Sequence, residues 1–256
     1  KMSEKEKVEG YVEHIIFRNE ENGYTVLNLS MKGRELTCVG TLPMIGEGEL
    51  IEASGDYIEH AAYGKQFRIE SYETKVPQDS VALERYLGSG AIKGVGAALA
   101  ARIVRRFGDD TLRIIEEEPE RLAEVKGISE RKAREIAQQV AEKAEMQNAM
   151  IFLSGYGIAL NLGAKIYQQY GDNVYRILKE NPYKMAEDIA GVGFRTADEI
   201  AGKIGIAVDS EFRIKSGLSY VLNQATAEGH VYLPEPVLLR RGQELLGVEP
   251  ERMQKS

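Results

Sequence analysis

The chain has 256 residues, 43% of them hydrophobic and 29% charged, with 33 Lys and Arg against 40 Asp and Glu for a net charge of −7. That composition excludes a disordered or fibrous chain, leaves room for two or three domains, and argues against a partner held by a strongly positive global field. No run approaches the ~20 apolar residues of a membrane span, KMSEKEKVEG lacks an apolar signal core, and a lone cysteine, Cys38, excludes an internal disulfide, so a cytoplasmic protein in a reducing compartment and no membrane partner are expected.

Residues 7–76 carry the period of strands. Val8, Gly10 and Val12 alternate with Glu9, Tyr11 and Glu13, and Tyr24 to Leu29 follows the turn Asn22-Gly23. Leu36, Cys38 and Val39 follow Lys32-Gly33, and Leu50 to Tyr57 is separated from Phe67 to Thr74 by Ala62, Tyr63 and Gly64. Five short strands with tight turns predict a small barrel of the OB-fold kind over 1–76. Tyr63, Lys65, Phe67 and Arg68 fit either a single-strand-binding face or core aromatics among solvated charges. Cys38, in an alternating apolar run, is expected to be a buried, inert thiol.

Pro77 ends the strands, Asp79 or Ser80 caps a helix, and the period turns helical. A short phrase then recurs. Gly94-Val95-Gly96 is followed by Ala100 and Ile103, Gly127-Ile128-Ser129 by Ala133 and Ile136, and Gly191-Val192-Gly193 by Ala197 and Ile200. In each, the first glycine takes positive φ and ends one helix, the apolar residue plugs the corner, and the third residue opens a second helix. Alanine and isoleucine then face back toward the first helix. This is the helix-hairpin-helix pattern, whose backbone N–H groups at a helix N-terminus suit a phosphate.

A duplication runs through the same region. FGDDTLRIIEEEPERL (Phe107 to Leu122) aligns with YGDNVYRILKENPYKM (Tyr170 to Met185) at an offset of 63 residues, and that offset carries Gly94-Val95-Gly96 onto Gly157-Ile158-Ala159. Four hairpins in two tandem pairs are therefore expected, joined by a helix-rich bridge from Ala133 to Leu153. Hairpin three, with Ala159 and no cation before Lys165, has the character of a packing corner. The other three present Lys93, Gly94, Val95, Gly96; Gly127, Ile128, Ser129, Arg131, Lys132; and Gly191, Val192, Gly193, Arg195 as candidate DNA contacts. Residues 1–76 hold nine basic against fourteen acidic residues and the remainder 24 against 26, so phosphate contact rests on local patches and backbone dipoles.

From Ser210 a helix is expected to run to a stop at Gly229, followed by a short strand, Val231 to Leu233, and a last helix, Val237 to Leu246. This partial winged-helix-like piece ends the chain without a closing element, as a segment of something longer would. The domain reading is a barrel over 1–76, a first hairpin pair over 77–145, a second over 146–208, and a helix-strand-helix linker over 209–256, an α+β multidomain class. No G-x-x-x-x-G-K-[ST] loop exists, His14, His60 and His230 are scattered, and no Pro and Asp of the DNA-glycosylase type follow Gly193. The residues carry no catalytic constellation, no metal site and no cofactor site.

FRNEENGYTVL (Phe17 to Leu27), YGKQF (Tyr63 to Phe67), RYLGSGAIKGVG (Arg85 to Gly96), the FGDD stretch and GHVYLP (Gly229 to Pro234) together resemble the N-terminal region of bacterial RecD-like DNA helicases, the exodeoxyribonuclease V alpha-chain family. The resemblance implies a parent that hydrolyses ATP with Mg²⁺, moves 5′ to 3′ on single-stranded DNA and serves repair or recombination, with its Walker motifs beyond Ser256. For these residues it implies a non-specific grip on single-stranded or forked DNA and contact with the parent's own helicase core. Ser129 and Ala159 depart from the glycine pattern. The alternative is a protein-interaction module docking on the core or on a repair partner.

Overall fold

The computed structural model describes residues 5–255. They form two compact units, residues 1–148 and 149–256 by chain limits.

The first unit opens with five strands: β1 Glu6–Arg18, β2 Tyr24–Met31, β3 Arg34–Thr41, β4 Leu50–His60 and β5 Gly64–Lys75. They close in the order β1-β2-β3-β5-β4, with β3 and β5 parallel and the other pairings antiparallel. Alternation decides which side chains fill the barrel: Val8, Val12, Leu27, Leu29, Cys38, Ile51, Ala53, Phe67 and Ile69 point inward. Closure forces close backbone approaches, and a Cβ on Gly40 would stand 2.7 Å from the Ile69 carbonyl oxygen. Phe67 is core, edge-to-face with Tyr57 at 5.1 Å, which removes it from the candidate single-strand face. Lys65 lies over the Tyr57 ring and Arg68 pairs with Asp56. Cys38 is buried and its thiol is pushed up to about 12 by desolvation.

Arg18 fixes one barrel end, donating to the Leu42 and Ile45 carbonyls. Glu49, also buried, accepts from the Gly46 amide at 2.6 Å and faces Lys143 Nζ at 3.5 Å. Lys143 belongs to α4 Glu130–Gly155, so this pair ties the barrel to the longest helix of the chain.

Three helices precede α4: α1 Ser80–Tyr86, α2 Ala97–Phe107 and α3 Thr111–Glu117. Asp79 caps α1 by accepting from the Ala82 amide. Val95, Ala100, Ile103, Ile128, Ala133 and Ile136 share one core, so the corner plugs and the helix faces behind them pack together.

The second unit contains the end of α4 and α5 Leu160–Tyr170, α6 Val174–Glu180, α7 Met185–Asp188, α8 Phe194–Ile204, α9 Glu211–Ala227, α10 Glu235–Leu246 and α11 Pro250–Met253. The duplication holds at element level. Gly108 and Gly171 open matching 3₁₀ turns at φ 59° and 56°, and α3 and α6 begin 63 residues apart at Thr111 and Val174.

The expected strand Val231 to Leu233 is absent. The segment runs as an irregular link with Val231 98% and Tyr232 77% exposed. Among the described residues no neighbouring strand supplies ladder partners, and a short apolar run without a partner does not hold an extended chain as a strand. The linker is therefore helix, link and helix, without the wing a winged-helix piece requires. Instead α9 and α10 cross directly through two glycines. A Cβ on Gly217 would stand 2.6 Å from Leu246 Cδ2, and one on Gly242 2.8 Å from Leu218 Cδ2. Ser210 stands at the N-cap of α9, but its side chain makes no capping bond.

Candidate nucleic-acid interface

All four corners repeat one burial pattern, exposed, buried, exposed, at Gly94-Val95-Gly96, Gly127-Ile128-Ser129, Gly157-Ile158-Ala159 and Gly191-Val192-Gly193. The first glycine has φ of 84°, 96°, 69° and 85° respectively, the left-handed region that a Cβ disfavours. The local bonding separates them. In hairpins one, two and four the plug residue closes a four-residue turn: Val95, Ile128 and Val192 donate to the carbonyls of Ile92, Val125 and Ile189 at 3.3, 3.1 and 3.1 Å. Glycine then sits at the third turn position, where positive φ is required, and among the described residues the amides of Gly94, Gly127 and Gly191 have no acceptor.

Hairpin three is built differently. Helix α4 runs into it, Ile158 donates to the Leu153 carbonyl and Gly157 to the Ser154 carbonyl, the paired bonds of a Schellman helix end. Its glycine amide is consumed by the fold.

Each sequence-selected residue now has a place. Val95, Ile128 and Val192 plug their corners, with buried side chains and amides already donated, so the glycines beside them are what each corner presents outward. The Lys93 amide is held at 2.8 Å by Gln139 Oε1 of α4, which leaves Lys93 only its side chain to offer. Gly96 and Gly193 occupy N-cap positions with extended backbone, at the mouths of α2 and α8. Ser129 Oγ accepts from the Lys132 amide at 3.1 Å, a side-chain cap in place of the missing glycine. Arg131 is exposed but engaged, its Nε 2.9 Å from Glu135. Among the described residues Lys93, Lys132 and Arg195 form no ion pair.

The first pair of hairpins exchanges cations. Lys132, on the helix after hairpin two, places Cε 3.9 Å from where a Cβ on Gly94 would stand. Arg102, on the helix after hairpin one, places its guanidinium 3.6 Å from the same point on Gly127. Each glycine corner thus carries the positive charge of its neighbour's helix. Sequence reading missed Arg102 because the pairing spans 25 residues and depends on how α2 packs beside hairpin two; its only local signal is an exposed position on α2. The remaining basic residues of this helical region include several that are neutralised: Arg106 by Glu124, Arg113 by Asp110 and Glu118, Arg121 by Glu118 and Glu124. In the second pair, Lys203 Nζ lies 3.3 Å from the Gly157 position.

No group of three or more metal-ligating side chains occurs among the described residues. No helix among them is long and apolar enough to cross a membrane.

A closed barrel in OB-fold order followed by exposed glycine corners at helix mouths defines a protein of the OB-plus-helix-hairpin-helix class. Residues 91–141 and 142–232 match the helix-hairpin-helix domain of ATP-dependent RecD2 DNA helicases, and residues 5–77 match the OB-fold domain of the ATP-dependent DNA helicase YrrC. The chain belongs to the RecD2 helicase family, as its N-terminal region. The ATP-dependent RecD2 DNA helicase of Deinococcus radiodurans is 26% identical over 239 residues, 89% of this chain and 33% of that protein, so the chain spans about a third of its relative's length.

Proposed function

We propose that this chain is the DNA-engaging N-terminal arm of an ATP-driven helicase that moves 5′ to 3′ and serves repair or recombination. The arm grips the phosphate backbone of single-stranded or forked DNA without reading sequence. The observation that carries this reading is the set of unbonded glycine amides at three exposed corners, two of them with a cation swung over from the neighbouring helix. Amide donors at a helix mouth with an adjacent guanidinium or ammonium are a phosphate seat. Each phosphate so neutralised releases counterions, so affinity falls with salt by about 0.7 log units per log unit of salt on a single strand.

Fluorescence anisotropy with labelled single-stranded and forked DNA across a salt series tests this. Binding that tightens as salt falls, and a shallower slope for Arg102→Glu combined with Lys132→Glu, is the expected result. No binding at low salt, or binding indifferent to the double reversal, overturns it. ATP and Mg²⁺ belong in this reading to the parent's helicase core, and the arm alone is expected to turn over no ATP. The net charge of −7 and the exposed Val231 and Tyr232 favour a second role, docking on that core.

A further inference from the structure

The duplication provides an internal control, because the two hairpin pairs share elements and differ in a few side chains. Glu118 in the first pair is an exposed carboxylate paired with Arg113 and Arg121. Its counterpart 63 residues on is Asn181, whose Oδ1 is buried and has no hydrogen-bond partner. Glu120 corresponds to Tyr183, and when the corner glycines Gly127 and Gly191 are superposed, one residue further apart, Glu130 at the start of α4 corresponds to Phe194 at the start of α8. The second pair has thus exchanged three acidic residues for an amide and two aromatics, all on one side of hairpin four.

These residues surround a cavity of about 350 Å³ that also touches Gly193, Phe212, Ser219 and Tyr220, at the small end of ligand sites (roughly 300–1,000 Å³). Tyr183 stacks on Phe194 at 5.8 Å and Phe194 on Tyr220 at 5.6 Å. The floor is rigid: Tyr183 donates its hydroxyl to Asp198 at 2.6 Å, and Arg213 grips the same carboxylate at 2.8 Å. At the rim, Phe212 is 50% exposed, with no aromatic neighbour among the described residues, and Ser216, Ser219 and Asn223 of α9 line the cavity together with the charged Glu187 and Lys215. Aromatic faces opening beside Gly193, the N-cap glycine of hairpin four, suit a flat heterocycle joined to a phosphate.

Resting on the phosphate-seat reading of the hairpins, we propose that hairpin four and this cavity form a nucleotide seat. Gly193 lies at the phosphate, and one unstacked base of a single strand enters the cavity against Phe212 and Tyr220. The first hairpin pair, with carboxylates at these positions, holds backbone alone.

The test uses the chain as it stands and two fluorescent strands of equal length, oligo(dC) and an abasic deoxyribose-phosphate polymer. Aromatic stacking of one base predicts about tenfold tighter binding of oligo(dC). Phe212→Ala, which removes the rim face, and Ser219→Phe, which fills the cavity from an exposed position, are each expected to bring oligo(dC) within about twofold of the abasic strand while leaving the abasic affinity unchanged. Equal binding of the two strands by the unaltered chain overturns the base seat and leaves the phosphate grip standing. A base preference that survives both variants overturns it as well, since the preference then arises outside this cavity. Failure to bind either strand overturns both readings.

Discussion

A glycine at a hairpin corner does two separable things: it allows the left-handed turn, and it leaves an amide facing outward. Gly191 separates them, because a Cβ there meets nothing within 4 Å while φ is 85°. Gly191→Ala is therefore expected to cost about 1–2 kcal/mol through backbone strain alone, read as a lowered Tm, whereas a loss above ~4 kcal/mol would show that the corner is packed. Ser129 stands where the pattern has glycine and compensates with its hydroxyl on the Lys132 amide. Ser129→Ala should lose about 1 kcal/mol of stability, and Ser129→Gly only a few tenths, a difference that urea denaturation resolves. Cys38 lies in the barrel wall with its thiol pushed up to about 12. A thiol-specific reagent at neutral pH should leave it untouched until the protein is unfolded; rapid labelling of the native chain would contradict the closed barrel.

At the scale of elements, the four hairpins resemble one another in sequence and differ in what their backbones have left to give. Hairpin three ends the 26-residue helix α4 with two internal bonds; hairpins one, two and four end short turns and keep the glycine amide unbonded. Lys203 stands by the Gly157 corner much as Lys132 stands by Gly94, so charge alone would rank them equal. The bonding ranks them apart. Lys203→Glu is expected to weaken DNA binding by less than twofold and Lys132→Glu by roughly tenfold at low salt, since only the second cation is paired with a free amide donor. Equal losses would mean that charge and not the amide carries the contact. The Glu49–Lys143 pair is the matching device inside the first unit, with Glu49 buried and the Lys143 side chain 24% exposed. Lys143→Ala leaves a buried carboxylate with only the Gly46 amide to bond, and about 2 kcal/mol of stability should go with it.

For the molecule as a whole, pH reads the second unit through Asp198. Burial opposes its ionisation, yet hydrogen bonds from Arg213 and Tyr183 hold it below the ordinary carboxylate range. A carboxyl lowered on folding contributes stability above its unfolded pKa and loses it as pH falls through the folded value. The second unit is therefore expected to lose stability progressively below about pH 4, and Asp198→Asn should flatten that part of the Tm–pH curve while lowering Tm at neutrality. An unchanged acid slope would remove the Arg213–Asp198–Tyr183 network as the cause. The net charge of −7 acts over the same scale. It repels DNA at long range, so a grip made by local seats should depend on salt through few phosphates, with a correspondingly shallow slope.

The five barrel strands, the hairpin corners and the duplication could be read from the chain because each rests on short-range rules: period-two alternation, a glycine that alone tolerates positive φ, and a repeat at fixed offset. The strand Val231 to Leu233 failed because a strand needs a partner that its own residues do not encode. Only packing decided which glycine amides stay free, that Arg102 crosses to the corner at Gly127, and that Asn181, Tyr183, Phe194 and Tyr220 meet around one cavity. Those are contacts between residues far apart in the chain, set by how helices fill one core, and no local pattern carries them.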